Sequence, residues 1–416
     1  MRLGQAWRTM FVCGLAGAGV AVVATAGPLT PPAGSVAPTY KTLTEVEPRI
    51  AVQSLAGAPP YFITQPGSYY LTGNVSAVAG QRGIYINADN VTLDLNGFAM
   101  IGNLNSDDAV YFNGRRNVTV RNGVIRDWVK EGIDGFGSNN VRLENITVDN
   151  CPNGFGVIVG DGARIVNSSV SRAAAGFITG SKATLVNCTA EANTGTGFST
   201  GLSANLQTCT ADGNTGDGFV TGAGTDATSC IARANGGHGF SFDGWAGLNS
   251  SVSVGNTGSG IRVIAPGGGG TNGASILNCT VSANAGAGVE HYGAGATIRG
   301  CTVSRNTFGA ASLGSLCHVV DNNFQENGTT VGDPPPAYQI YVAGAGTRID
   351  NNHFSSGSGI SALWLNGIDN LVTRNTFVGP GGVLVGGSNA NNEIALVANS
   401  PGQNFTNTNA WANFKY

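Results

Sequence analysis

Six residues of types that carry acid–base, charge and aromatic chemistry lie close together in a sequence that is otherwise rich in Gly, Ser, Thr and Ala. They are Asp217, His238, Asp243, Arg262, Glu290 and Tyr292. A carboxylate or an imidazole can transfer protons, and a guanidinium can neutralise an anionic ligand. We therefore interpret Asp217, His238 and Arg262 as candidate catalytic residues, and Asp243, Glu290 and Tyr292 as candidate ligand-binding residues.

A purely structural interpretation of the same residues stays open. Asp217 and His238 occupy the variable position x of Asn-x-Gly-x-Gly-Phe turns, where Thr196 and Ser259 stand in neighbouring repeats. Such turns accept many small or polar residues at that position. Arg262 and Glu290 could likewise form a surface ion pair, which contributes little stability.

The elements that would position these residues follow from an internal repeat. Gly176, Gly197, Gly218, Gly239 and Gly260 are each 21 residues apart and each precedes Phe or Ile. Further repeat starts are assigned at Gly83, Ala109, Gly132, Gly154, Gly288, Gly309, Ala337, Gly359 and Gly382. A unit this short cannot bury its own apolar face, so stacked repeats must share one core.

Several residue types recur in register within the repeats. An aliphatic position is followed two residues later by a polar one, occupied by Asn122, Asn145, Asn167, Asn187 and Asn278. Apolar residues alternate in short runs, as strands require, and Gly and Asn mark the bends. The pattern predicts an all-β, right-handed, single-stranded parallel β-helix of about 14 coils, in which stacked Asn side chains can bond to one another.

Segments outside the repeat have their own composition. Residues 1–26 have the charged start, apolar stretch and Ala24-Thr25-Ala26 site of a signal peptide. Residues 27–40 form a Pro-rich leader, 41–82 an N-terminal cap, 83–400 the β-helix and 401–416 an aromatic C-terminal cap. We therefore expect a protein that is secreted, on the cell surface or periplasmic, with no membrane span in the mature chain.

The next repeat position carries cysteine in five repeats, with Ser251 filling one gap: Cys188, Cys209, Cys230, Cys279 and Cys301. Metal sites use tight local spacing, which this column lacks. Parallel neighbours in register point their side chains the same way, which suits a disulfide dihedral poorly. We predict buried, unpaired thiols that pack as small apolar groups.

These repeats resemble the secreted bacterial right-handed β-helix proteins of the pectin-lyase-like superfamily. The resemblance rests on residues 84–97 (IYINADNVTLDLNG), on 63–74 (ITQPGSYYLTGN) and on Asn187-Cys188-Thr189, and it covers about residue 43 to the end. It implies that a polysaccharide lies along one strand face. That superfamily contains lyases, hydrolases, epimerases and proteins without catalytic activity.

Part of the candidate site is similar to that of polygalacturonases. Asp217, Gly237-His238-Gly239 and Gly260-Ile261-Arg262 follow one another in consecutive repeats, as in that family. Thr196 and Gly216 stand where further Asp residues are expected, and Ile264 replaces a Lys. Inverting hydrolysis needs two carboxyl groups, so these departures weaken the hydrolase interpretation.

A second polar patch comes early in the chain, and two insertions interrupt the later repeats. The patch consists of Asp107, Asp108, Tyr111, Lys130, Glu131 and Asp134, which could bind sugar or a cation or form a solvated rim. The insertions lie at 266–273 and 329–337, beside the six candidate residues. Long loops beside a groove often carry binding residues.

Three functions remain open from the sequence. The protein could bind an extended, acidic polysaccharide along its strand groove, act on one as a lyase, hydrolase or epimerase, or serve as a passive spacer of the cell envelope. The net charge of −3 provides no basic surface for nucleic acid. We predict no cofactor, no metal ligands and a monomer.

Overall fold

Consecutive strands are separated by bends at which asparagine adopts a left-handed backbone. Asn145, Asn167 and Asn187 have φ of 55°, 51° and 54°, a conformation that Asn tolerates better than most residues. Their side chains bond along the stack: Asn167 Nδ2 donates to Asn145 Oδ1 at 3.3 Å, and Asn187 Nδ2 donates to Asn167 Oδ1 at 2.9 Å. The predicted Asn column is therefore confirmed.

The computed structural model describes residues 48–415, except 104, 265–272, 329–336, 358, 380–390, 396 and 400–408. Arg49–Tyr416 forms one unit, an all-β parallel solenoid of about 14 turns, which confirms the predicted right-handed β-helix. Every ladder between the described strands is parallel and pairs a strand with the equivalent strand of a neighbouring coil. One 3₁₀ turn, Val52–Ser54, is the only helix in the described part of the chain.

The strands form three parallel stacks. The first stack follows the repeat starts: Tyr61–Ile63, Ile84–Ile86, Val110–Tyr111, Ile133–Gly135, Phe198–Thr200, Phe219–Thr221, Phe240–Asp243, Ile261–Ile264, Val289–Ala294, Ala311–Ser315, Tyr338–Val342 and Ser361–Leu365.

The second stack contains Ile50–Ala51, Gly67–Tyr70, Val91–Asp94, Arg164–Val166, Thr184–Val186, Asn205–Gln207, Asp226–Thr228, Gly247–Asn249, Ser275–Leu277, Thr297–Arg299, His318–Val320, Arg348–Asp350, Leu371–Thr373 and Glu393–Ile394. The third contains Val75–Ser76, Ala99–Ile101, Thr189–Glu191, Thr210–Asp212, Ile231–Arg233, Val252–Val254, Thr280–Ser282, Thr302–Ser304, Asn323–Gln325, His353–Ser355, Thr376–Val378, Val397–Asn399 and Asn413–Lys415. Three long strands bend through more than one stack: Thr119–Arg126, Arg142–Val159 and Ser169–Thr179.

Part of the interior is filled by identical residues in register. The rings of Phe177, Phe198, Phe219 and Phe240 stack at centroid distances of 5.2, 4.8 and 4.8 Å. The five cysteines of the predicted column are buried and unpaired, as expected, and so are Cys151 and Cys317. Other apolar side chains are buried in the remaining coils, and the burial of this continuous apolar core is the main source of stability.

A second asparagine ladder, which the sequence interpretation did not include, lies inside the solenoid. Its members are Asn193, Asn214, Asn235, Asn256, Asn284, Asn306 and Asn327, each at most 1 % exposed. Asn235 Nδ2 donates to Asn256 Oδ1 at 2.9 Å, and Asn214 Nδ2 donates to Asn235 Oδ1 at 3.0 Å. This ladder supports the turns that precede the first stack, where Asp217 and His238 lie.

Four assigned repeat starts are out of register. Ile133 pairs with Val157, so that coil begins at Gly156 and not at Gly154. Later pairings place the starts at Ala310, Gln339 and Ala362 in place of Gly309, Ala337 and Gly359. The coils differ in length at these places. A Gly that precedes an apolar residue also occurs inside the longer turns, so this pattern alone does not mark where the strand begins.

The predicted segment boundaries fall partly outside the described residues. The proposed signal peptide 1–26 and leader 27–40 lie entirely outside them, as do 266–272 and 329–336 of the two insertions and the repeat start at Gly382. Within the proposed cap 41–82, Tyr61–Ile63 already pairs in parallel with Ile84–Ile86. At the other end, Thr376 and Phe377 pair with Phe414 and Lys415. No helix in the described residues is long and apolar enough to span a membrane.

Candidate functional site

The outward side chains of the first stack form one continuous row. Strand register connects Phe62, Tyr85, Tyr111, Asp134, Ile158, Ile178, Ser199, Val220, Ser241, Arg262, Glu290, Ser312, Tyr341 and Trp364 in successive coils. Aromatic and charged residues occupy both ends, and the middle coils carry aliphatic residues and Ser. The row thus offers two polar regions on one face.

Asp217 and His238 bond to the backbone of the next turn. Asp217 Oδ1 accepts the His238 backbone N–H at 2.6 Å, and His238 Nδ1 accepts the Ser259 backbone N–H at 2.9 Å. Both side chains are half-buried. These bonds give each residue a structural role in the turn, as the alternative interpretation of the sequence proposed.

His238 also reaches the next strand, where it meets Arg262. Its Nε2 lies 3.2 Å from Arg262 Nη1. Since Nδ1 accepts a hydrogen bond, the neutral ring must carry its proton on Nε2. Two hydrogen-bond donors therefore face each other. In addition, the buried Nε of Arg262 has no hydrogen-bond partner among the described residues. An anion placed between His238 Nε2 and Arg262 Nη1 would supply an acceptor for both.

Glu290 and Tyr292 complete the contacts of Arg262. Glu290 Oε2 lies 3.9 Å from Arg262 Nε, at the limit of an ion pair. The Arg262 guanidinium lies 5.8 Å from the Tyr292 ring centroid, and Tyr292 is 59 % exposed. Burial and the nearby Glu290 charge raise the pKa of the Tyr292 phenol, so it stays protonated at neutral pH. Asp243 is exposed at the end of its strand, and within the described part of the chain it bonds to none of the other five residues.

The second patch is more enclosed than the first. The Phe62, Tyr85 and Tyr111 rings follow one another at 5.7 and 5.0 Å, and the Arg82 guanidinium lies 3.7 Å from the Tyr111 ring centroid. Arg82 Nε donates to Asp108 Oδ2 at 2.8 Å. A pocket beside it is lined by Pro60, Phe62, Gly80, Gln81, Arg82, Tyr85 and Asp107.

Two carboxyl groups of this patch have raised pKa values. Burial, with a hydrogen bond to Asp108, raises the pKa of Glu131 to about 7. Burial also raises the pKa of Asp134, although the Phe136 backbone N–H opposes this. The sequence left these residues open as a site for sugar or a cation or as a solvated rim. Their mutual proximity could not be read from spacing, because Asp108 and Glu131 are 23 residues apart.

Fold and face together define a parallel β-solenoid with a polar, aromatic strand face. The chain belongs to the right handed beta helix region family, whose model matches residues 75–229 and 256–396. No curated protein sequence matches the chain significantly.

Solved structures whose fold is similar to that of this chain include two epimerases and a glucanase. The A-module of the mannuronan C-5 epimerase AlgE4 from Azotobacter vinelandii has 14 % identity and a TM-score of 0.41, over 80 % of this chain and 89 % of that one. A point mutant of the periplasmic alginate epimerase AlgG has 13 % identity and a TM-score of 0.41, over 79 % and 83 %. The GH87 alpha-1,3-glucanase of Streptomyces thermodiastaticus has 14 % identity and a TM-score of 0.37, over 88 % and 68 %.

Proposed function

We propose that this protein binds an extended acidic polysaccharide along the outward row of the first stack, without cleaving it. The observation that carries the proposal is the pair of donors His238 Nε2 and Arg262 Nη1, which lie 3.2 Å apart beside a buried Arg262 Nε that has no hydrogen-bond partner among the described residues. A sugar carboxylate would satisfy both. Because Arg262 is only partly exposed, such a charge-assisted bond would be stronger there than at the open surface.

The spacing of the face suits a polymer. Neighbouring coils are about 4.8 Å apart, close to the length of one sugar residue, so successive side chains of the row can meet successive sugars. Tyr292 offers an exposed ring beside Arg262 on which the apolar face of a sugar ring can pack. Tyr341 and Trp364 continue the row two and three coils beyond Glu290.

Binding is favoured over cleavage because the two acid–base candidates already have other roles. The Asp217 carboxylate and the His238 Nδ1 both accept backbone N–H groups. Losing either bond would leave a turn amide without its acceptor, at a cost of about 1–3 kcal/mol. A lyase would need His238 or Tyr292 as its base, and the pKa of Tyr292 is raised, which disfavours the phenolate.

The experiment measures affinity for a polyuronate and for a neutral glucan by calorimetry at low salt. Arg262→Ala and His238→Ala should weaken polyuronate binding about 10–100-fold, the effect of one charge-assisted hydrogen bond. Arg233→Ala is the matched control, because Arg233 is exposed in the third stack and pairs with Asp212. The control should bind as the wild type does.

Unchanged affinity in both variants would refute the proposed site. Binding of both polymers alike would refute the carboxylate preference. Release of reducing ends or unsaturated products would show that the protein cleaves the polymer. Absence of any glycan binding would favour the function of a passive envelope spacer.

We also propose that the protein is exported and monomeric. The support for export is the charged and apolar pattern of residues 1–26 and the small residues Ala24 and Ala26. Mass spectrometry of the mature N-terminus should find a chain that begins at residue 27. Sedimentation should give one chain per particle, and a retained residue 1 or a dimer would contradict these two proposals.

A further inference from the structure

Three carboxylates from two neighbouring coils meet at the second patch. Asp108, Glu131 and Asp134 each place one carboxylate oxygen within 4.8 Å of the others. Oxygens bound to one Ca²⁺ lie about 2.4 Å from the ion and therefore at most about 4.8 Å from one another. The three oxygens thus fit around a single ion.

The surrounding charges do not balance. When ionised, Asp107, Asp108, Glu131 and Asp134 carry four negative charges, and Arg82 and Lys130 carry two positive ones, which leaves −2. Arg82 pairs with Asp108 at 2.8 Å, and Lys130 Nζ pairs with Asp107 at 2.6 Å. Glu131 and Asp134 have no ion pair within the described part of the chain.

A second observation points to a ligand. Asp108 is only 2 % exposed, and its Oδ2 accepts from Arg82. When Glu131 is ionised, the Asp108 Oδ1 is buried without a hydrogen-bond partner among the described residues. A buried carboxylate oxygen without a partner is costly, and proteins usually satisfy such an atom with a donor or a cation. This oxygen belongs to the carboxylate that faces Glu131 and Asp134.

We propose that Asp108, Glu131 and Asp134 bind one divalent cation that prefers oxygen ligands, with Ca²⁺ as the ion that fits the charge and spacing. Carboxylates without Cys or His nitrogen select such hard ions over zinc or copper. The ion would bring the net charge of the patch to zero. Asn113, which donates to Asp134 at 3.3 Å, would hold that carboxylate in place.

The site lies six coils from Arg262, so it does not depend on the proposed polysaccharide contact there. The sequence grouped its members in a patch that could bind a cation, but no local motif joins them, so spacing did not show that the three carboxylates meet. Asp134 belongs to the outward row, next to Tyr111 in register. A cation there would lie on the same face as the stacked rings of Tyr85 and Tyr111.

The test is calorimetric titration of the metal-stripped full chain with CaCl₂ and, separately, MnCl₂ at pH 7.5. We expect one site per chain and a rise in the melting temperature with added Ca²⁺. Glu131→Gln and Asp134→Asn, which keep the shape of each side chain, should each weaken binding at least tenfold and reduce the melting shift. Asp226→Asn, an exposed strand carboxylate of the second stack, is the control and should bind as the wild type.

Two results would overturn the proposal. The first is a wild-type protein that takes up neither ion and gains no thermal stability from millimolar Ca²⁺. The second is cation binding that both isosteric variants retain. If the wild type takes up no ion and Glu131→Gln melts higher without one, a shared proton balances the patch and the cation assignment is wrong.

Discussion

Replacement of Asn235 by Ala tests the buried asparagine ladder that supports the site turns. Asn235 Nδ2 donates to Ala211 O at 3.1 Å and to Asn256 Oδ1 at 2.9 Å, and Asn235 Oδ1 accepts from the backbone N and Nδ2 of Asn214 at 3.1 and 3.0 Å. The substitution removes all four bonds. At about 1 kcal/mol net for each, the free energy of unfolding should fall by about 3–5 kcal/mol.

The structure shows why neighbouring residues cannot compensate fully. Asn214 Nδ2 keeps its bond to Ala190 O, and Asn256 Oδ1 keeps the backbone N–H of Asn235. The backbone N–H of Asn214, in contrast, loses the acceptor on Asn235 and stays buried. An alanine cannot restore that acceptor, so the cost of an unsatisfied amide adds to the lost bonds.

Urea unfolding followed by circular dichroism measures this difference. Gln207→Ala is the control, because Gln207 is an exposed strand residue in the second stack and its removal should change stability by no more than about 0.5 kcal/mol. A loss below about 1 kcal/mol for Asn235→Ala would refute the reasoning, since the ladder would then contribute no more than a surface residue.

Three further predictions follow from other buried groups. Hydrogen bonds from Arg374 lower the pKa of the buried Asp350 to about 2. At pH values above about 4, the pKa of this carboxyl group in the unfolded chain, ionised Asp350 therefore stabilises the fold by about 2 kcal/mol. That stability should be lost as pH falls from about 4 to 2, and acid unfolding of Asp350→Asn should show a smaller dependence over this window. Thr200→Val should raise stability by about 1 kcal/mol in urea unfolding, because the buried Thr200 Oγ1 has no partner among the described residues; a loss would show that the hydroxyl is satisfied. Thiol titration of the denatured, unreduced protein should detect at least seven free thiols, whereas one or none would show an oxidised column.

Much of the fold could be predicted because the coils repeat the same pattern of apolar, polar and turn residues. The stacked Phe177 and Phe198, the Asn145–Asn167 bonds and the buried Cys209 all follow from residues that recur at one period. The inner ladder of Asn214 and its equivalents was also visible as a regular spacing. The sequence predicts these Asn residues only as bend residues, because spacing does not show whether a turn side chain points into the solenoid.

The candidate site was only partly accessible from the sequence. Asp217, His238 and Arg262 were placed in consecutive coils, and the structure brings His238 and Arg262 into contact. The direction of each side chain decides that the donor atoms of His238 and Arg262 face each other. It also decides that Asp217 accepts a hydrogen bond from the next turn. Spacing does not specify that direction, because a polar side chain at a turn can point to solvent or to the next coil.

The sequence by itself determined the parallel β-helix, its columns and the approximate number of coils, since each is a property of a short unit repeated along the chain. Tertiary structure alone decided the register where coils change length, as at Val157 and Leu363, because only pairing with the preceding strand shows which residue enters the column. It also decided the meeting of Asp108 with Glu131. Those two carboxylates lie one coil apart in sequence and become neighbours only when the stack closes the distance to about 5 Å.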